Sequence, residues 1–150
     1  TPNSATADVT SLVATPTSIV ANGTATSTLV ATVKDANGNT LGAGVTVTWS
    51  TSLGSLSAAS STTNASGQAS VTLKGTVAGS ATVTASAVAG SATAAVTLTP
   101  NSATADVASL VATPTSIVAN GTATSTLVAT VKDANGNTLG AGVAVTWSTS

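Results

Sequence analysis

The segment Leu12–Asn39 recurs letter for letter at Leu110–Asn137, an offset of 98 positions. Carried outward, the comparison of residues 1–52 with 99–150 leaves two differences, Thr10 against Ala108 and Thr46 against Ala144. A shared fold tolerates many sequences, so fidelity of this order marks a unit copied whole. It also makes the number of units part of what the chain does. A period of 98 residues is the size of one independently folding domain. Residues 1–98 therefore read as one complete repeat, its first few residues being connector, and residues 99–150 as the first half of a second. Two first halves share one complement, residues 53–98. A half-sandwich with one bare apolar face and open strand edges does not stand alone, so the expectation is a window on a longer array.

Within the unit, apolar side chains recur at every second position and β-branched residues dominate, which predicts strands and no helix. Leu29, Ala31 and Val33 face one way; Thr28, Thr32 and Lys34 face the other, with Val30 the apolar exception on the wetter side. The same alternation assigns Val45, Val47 and Trp49 to the dry face, then Ala69, Val71 and Leu73, then Ala81, Val83 and Ala85, and finally Ala94, Val96 and Leu98. One wet and one dry face per strand is the mark of antiparallel sheets packed as a sandwich. Reversals are expected at Asn22-Gly23, Asn37-Gly38, Asn64 to Gly67, Ala78-Gly79 and Ala89-Gly90, after an opening pair of short edge-like segments around Pro16. The predicted fold class is all-β: an immunoglobulin-like antiparallel β-sandwich of about seven strands, in tandem repeat. Trp49, the one large aromatic residue of the first unit, belongs on a middle strand at its core.

Composition closes off several functions. Phe, Tyr, Met, Cys, His, Glu and Arg are all absent, and the charges are three Lys and four Asp. A net charge of −1 without a basic cluster excludes nucleic acid as a partner. Apolar runs are too short to cross a bilayer as a helix, so no membrane contact is expected from this segment. In the first unit the charged side chains are Asp8, Lys34, Asp35 and Lys74, and no His or Cys can serve as base or nucleophile. The expectation is no enzyme, and no catalytic, cofactor-binding or metal-ligating residue.

The patterns ATPTSIVANGTATSTLVATVKDANGN, GVTVTWSTSLGSLS and TTNASGQASVTLKGTVAGSATVTASA resemble the bacterial immunoglobulin-like domains of the invasin and intimin group. The likeness covers about Leu12 to Leu98 and resumes at Leu110. Lys34-Asp35-Ala36-Asn37-Gly38-Asn39, Thr51-Ser52-Leu53-Gly54 and Asn64-Ala65-Ser66-Gly67-Gln68-Ala69 are its most specific pieces. The resemblance implies a tandem array of sandwiches on a bacterial cell surface, holding an adhesive tip away from the cell. This chain departs from the group in lacking Phe and Tyr, which predicts a leaner core.

Four features invite a sharper reading. Asp35-Ala36-Asn37-Gly38-Asn39 places oxygen ligands on alternate positions like a calcium loop, yet the glycine is out of place for an EF-hand and no bidentate Glu follows; a tight turn explains it more simply. Thr26/Thr28, Thr46/Thr48 and Thr82/Thr84 form outward hydroxyl pairs that could meet ice or glycan, although Thr suits any wet strand face and Ala144 breaks the pattern in the copy. An isopeptide cross-link needs a buried Lys, whereas Lys34 and Lys74 alternate outward. Asn22, Asn120 and Asn64 fit glycosylation acceptors and read here as turn residues. The expected role is a structural stalk or spacer of an extracellular adhesin or fibre. Its partners would be neighbouring repeats of the same chain, and other copies of the fibre in the alternative reading of a self-associating biofilm filament. A host- or glycan-binding module is the other alternative. Few Lys and no Met or Cys suit a fibre exposed to proteases and oxidants.

Overall fold

The computed structural model describes residues 1–150, which divide into two compact units, Thr1–Thr99 and Pro100–Ser150. In the first, nine strands follow a 3-10 turn at Ser4–Thr6: β1 (Asp8–Thr15), β2 (Ser18–Val20), β3 (Ser27–Lys34), β4 (Thr46–Thr51), β5 (Ser55–Leu56), β6 (Ser60–Thr62), β7 (Gln68–Lys74), β8 (Gly79–Ser86) and β9 (Ser91–Thr99). They form two sheets, in the orders β1-β3-β7-β5 and β2-β9-β8-β4-β6. The dry faces of both sheets carry the side chains that alternation assigns to them. Leu29, Val33, Leu73, Val47, Val83, Val96 and Leu98 are almost wholly buried, and Ala31, Ala69, Ala81 and Ala85 fill the space between them. Each fully buried Leu or Val contributes roughly 1.5–3 kcal/mol, which is how a core without Phe or Tyr holds together.

Trp49 lies on β4 between β8 and β6, is 6% exposed, and donates its indole N–H to the Ser61 hydroxyl at 2.9 Å. A buried indole needs such a partner, because an unpaired N–H in an apolar core is costly. Asn64 to Gly67 and Ala89-Gly90 turn the chain as expected. Gly67 has φ +69°, and a Cβ there would collide with the Leu41 carbonyl oxygen and the Thr40 methyl.

Four expectations need correction. The strands of the first unit number nine rather than about seven, because β5 and β6 are two- and three-residue pieces too short to show a period. One pair is parallel: β2 lies beside β9 with Ser18, Ile19 and Val20 opposite Thr97, Leu98 and Thr99. The segment before Pro16 is also a full eight-residue strand, not a short edge piece. It pairs with β3, and a cis Thr15-Pro16 bond joins it to β2 in the other sheet. Asn37-Gly38 turns the chain without making a hairpin, since β3 and β4 belong to different sheets.

The second unit contains a 3-10 turn at Ser102–Thr104 and two strands, β10 (Asp106–Thr113) and β11 (Thr126–Lys132). Their register copies that of β1 and β3, including the bulge between Val107 and Ser109 that matches Val9 and Ser11. Leu127 is 50% exposed where its counterpart Leu29 is fully buried, and Trp147 is 53% exposed.

Candidate functional site

The most organised polar cluster is built on Asp35, at the end of β3. Its carboxylate accepts four N–H groups: the backbone amides of Asn37 at 3.0 Å, Asn39 at 2.9 Å and Asn3 at 3.2 Å, and the side-chain amide of Asn39 at 3.0 Å. The side-chain bond from Asn39 is the largest effect on the carboxyl and outweighs the opposing cost of burial. With the backbone donors, it brings the pKa down to about 2. An ionised carboxylate offers about four lone-pair sites, so these donors occupy its acceptor capacity. Gly38 N–H donates to the Asp35 carbonyl at 2.9 Å and closes the turn. The loop is thus a carboxylate wrapped in amides, the opposite of the open ring of oxygens that a calcium ion takes.

The second unit repeats the arrangement. Asp133 accepts from the backbone amides of Asn101, Asn135 and Asn137 and from the Asn137 side chain, each at 2.9 Å. Burial opposes ionisation most strongly there, yet these bonds together hold the Asp133 pKa near 2. Thr104 Oγ1 accepts the Ala134 amide at 3.2 Å, as Thr6 Oγ1 accepts that of Ala36 at 3.3 Å. The segment Thr99–Asp106, TPNSATAD, read from sequence as connector, is therefore tied through Asn101 and Thr104 to the Asp133 loop of the second unit. Sequence reasoning missed Asp35 as a hub. The available signal was an Asp followed at two and four positions by Asn, whose amides can fold back on it.

The remaining charges do not converge. Asp8 is in register with Lys34 at one end of the β1–β3 pair. Lys74 sits at the other end of the same sheet, beyond Leu73, which pairs with Ser27 at the far end of β3. Across about seven residues of strand, at ~3.3 Å each, Lys34 and Lys74 stand more than about 20 Å apart. Lys74 also borders an open cleft of about 370 Å³ with Gly23, Gly54, Gly75 and Val77, where it is the one charged group. Thr26, Thr28, Thr46, Thr48 and Thr82 are exposed and Thr84 is half-buried, so the Thr pairs do face outward. Asn22, Asn64 and Asn120 use their side-chain oxygens to cap turns, Asn22 accepting from Thr24 and Ala25, Asn64 from Ser66 and Gln68, and Asn120 from Thr122 and Ala123.

The sequence and the fold of this chain are similar to those of known proteins. The family model of the bacterial Ig-like domain (group 1) matches residues 9–101. The inverse autotransporter adhesin YeeJ of Escherichia coli (strain K12) is 42% identical over 87 residues, which are 57% of this chain and 4% of that protein. The crystal structure of invasin, a bacterial integrin-binding protein, superimposes with a TM-score of 0.67 at 29% identity, over 94% of this chain and 29% of invasin. The D0–D1 domain of intimin gives a TM-score of 0.58 at 31% identity, over 64% of this chain and 50% of that one. The chain spans a small fraction of the YeeJ adhesin and half of the intimin fragment. The family and the fold are those of adhesin immunoglobulin-like domains. The nine-stranded sandwich and the matched span, which is more than half of the sequence, settle the assignment: the chain belongs to the bacterial Ig-like domain (group 1) family.

Proposed function

We propose that this chain is a spacer segment of a bacterial surface adhesin, displayed outside the cell, whose repeats set the distance between the cell and a binding region elsewhere. The observation that carries this reading is the verbatim repeat of Leu12–Asn39 at Leu110–Asn137. Thr99 closes the first unit, accepting the Ala21 amide at 2.8 Å and donating its hydroxyl to Ile19 O at 3.3 Å. Asn101 already donates to Asp133 in the second. Pro100 alone stands between these two anchor points, and its ring fixes its own φ. Spacers benefit from identical units, whereas a dedicated recognition domain benefits from divergence.

The chain carries out no catalysis and holds no metal or cofactor in this reading. The support is chemical: its carboxylates and amines are scattered, and Asp35 and Asp133 are saturated by amide donors. Its partners are neighbouring repeats of the same chain. Residues 1–98 act as one complete repeat and residues 99–150 as the first half of another.

Small-angle scattering from polypeptides of one, two and four whole 98-residue repeats tests the reading. Maximum dimension should grow by a constant increment of about 35–45 Å per repeat, the length of eight- to ten-residue strands with their turns. Growth that flattens with repeat number would argue for a compact, self-associating module instead.

A further inference from the structure

The tripeptide Ala-Asn-Gly occurs twice in the first unit, at Ala21–Gly23 and at Ala36–Gly38. A glycine has no Cβ to shield its backbone nitrogen, so that nitrogen can attack the side-chain amide carbon of the asparagine before it. Identical neighbours give the two asparagines the same intrinsic reactivity, and both are exposed. The fold tells them apart. Asn22 Oδ1 accepts the Thr24 amide at 3.0 Å, the Thr24 hydroxyl at 3.0 Å and the Ala25 amide at 2.8 Å. Gly23 N–H donates to Gly75 O at 2.9 Å, and a Cβ on Gly23 would stand 3.2 Å from the Thr76 methyl. Amide carbon and nitrogen are thus both held, the nitrogen by a distant part of the sandwich.

Asn37 is held only through its backbone amide, which donates to Asp35 Oδ1 at 3.0 Å; its side chain makes no hydrogen bond. Gly38 N–H donates to Asp35 O at 2.9 Å within the same turn, and a Cβ built on Gly38 would meet nothing within 4 Å. Opening that one turn bond frees the nitrogen, and an exposed loop opens locally at far less cost than the sandwich unfolds. We propose that Asn37 is a site of spontaneous covalent modification, ageing to aspartate and isoaspartate, and that Asn22 is its protected twin. The Gly38 nitrogen bonds to Asn37 Cγ and gives up its proton, the Cγ–Nδ2 bond breaks, and ammonia leaves a cyclic imide behind. Water then adds at either imide carbonyl and reopens the ring. One opening yields aspartate; the other routes the main chain through Cγ, adds a methylene to the backbone and yields isoaspartate. In both products a neutral amide has become a carboxylate close to Asp35, in the loop that holds Asn3. The lengthened backbone also displaces the Asn39 amide that donates to Asp35.

The test is to age the full 150-residue chain at mildly alkaline pH, then denature it, digest it with trypsin and map amide-to-acid conversion by mass spectrometry. Cleavage after Lys34 and Lys74 puts Asn22 and Asn37 in different peptides, Thr1–Lys34 and Asp35–Lys74, and fragmentation separates Asn37 from Asn39 and Asn64. In the folded chain Asn37 should convert about tenfold or more faster than Asn22, because several hydrogen bonds must open together at Asn22 and one at Asn37. Aged in concentrated urea, the two should convert at equal rates, since their tripeptides are identical. Gly38→Ala places a methyl beside the attacking nitrogen and should slow conversion at Asn37. Equal rates in the folded chain, faster conversion at Asn22, or no conversion at Asn37 would each overturn the proposal. So would a preference for Asn37 that persists undiminished in urea, or an unchanged rate in Gly38→Ala. None of these outcomes bears on the length increment that tests the spacer reading.

Discussion

The backbone amide of Asn3 donates to the carboxylate of Asp35, 32 residues later, at 3.2 Å, and Asn101 and Asp133 repeat the bond at 2.9 Å. A residue of the connector is thereby held by the unit that follows it. Because Asp35 has a folded pKa near 2 against an ordinary 3.8, the unfolded chain takes up this proton more readily than the folded one. Linkage then fixes the sign: the carboxylate's contribution to stability is complete above about pH 4 and is lost as the pH falls toward about 2. Melting temperatures measured between pH 2 and pH 7 should be flat near neutrality and fall below pH 4. Asp35→Asn should lower the neutral plateau and make the acid limb shallower. An unchanged acid limb in that variant would place the pH dependence elsewhere.

Trp49→Ala should destabilise the first unit by about 3–5 kcal/mol, the usual cost of deleting a buried Trp. That is a large share of the roughly 5–15 kcal/mol available to a domain of this size. Trp147→Ala, at a site 53% exposed, should leave the main unfolding transition in place. Chemical denaturation of the two variants gives the comparison directly. Ser61→Ala removes only the indole's acceptor and should cost about 1–3 kcal/mol for the stranded N–H.

Gly67→Ala should be far more damaging than Gly38→Ala. Both positions have positive φ, +69° and +80°, which costs a residue with a Cβ about 1–2 kcal/mol. At Gly38 the new methyl meets open space, whereas at Gly67 it meets backbone and the turn must move. Equal thermal shifts for the two variants would contradict this packing.

Limited trypsin digestion should begin at Lys132. Lys34 and Lys74 belong to strands paired on both sides within the first unit, while Lys132 closes a strand paired on one side. Proteases act on segments that open easily. The expected early product runs from Thr1 to Lys132, with the first unit persisting. Early cleavage at Lys74 would contradict the assignment of the first unit as the stable one.

Much of this fold was legible in the sequence because the core is built from strict two-residue alternation. Leu29, Ala31 and Val33 read as buried from their spacing alone, and Trp49 stood out as the single large aromatic of its unit. What stayed hidden had no periodic signal. β5 and β6 are too short to alternate, and the parallel pairing of β2 with β9 depends on the chain changing sheets at Pro16, which no local pattern encodes. Asp35 was visible as part of a turn. Its role as an acceptor for Asn3 joins residues far apart in sequence, and a one-dimensional pattern carries no trace of that contact.

The central claim is that one repeat is a self-sufficient brick, in which Leu53–Thr99 covers the core laid down by Thr1–Ser52. Hydrogen exchange of the two indole N–H groups in the unmodified chain tests it most directly. Trp49 should exchange slowly, protected by burial and by Ser61, while Trp147 should exchange at close to the rate of a free indole. Equal protection of both, or faster exchange at Trp49, would contradict the account.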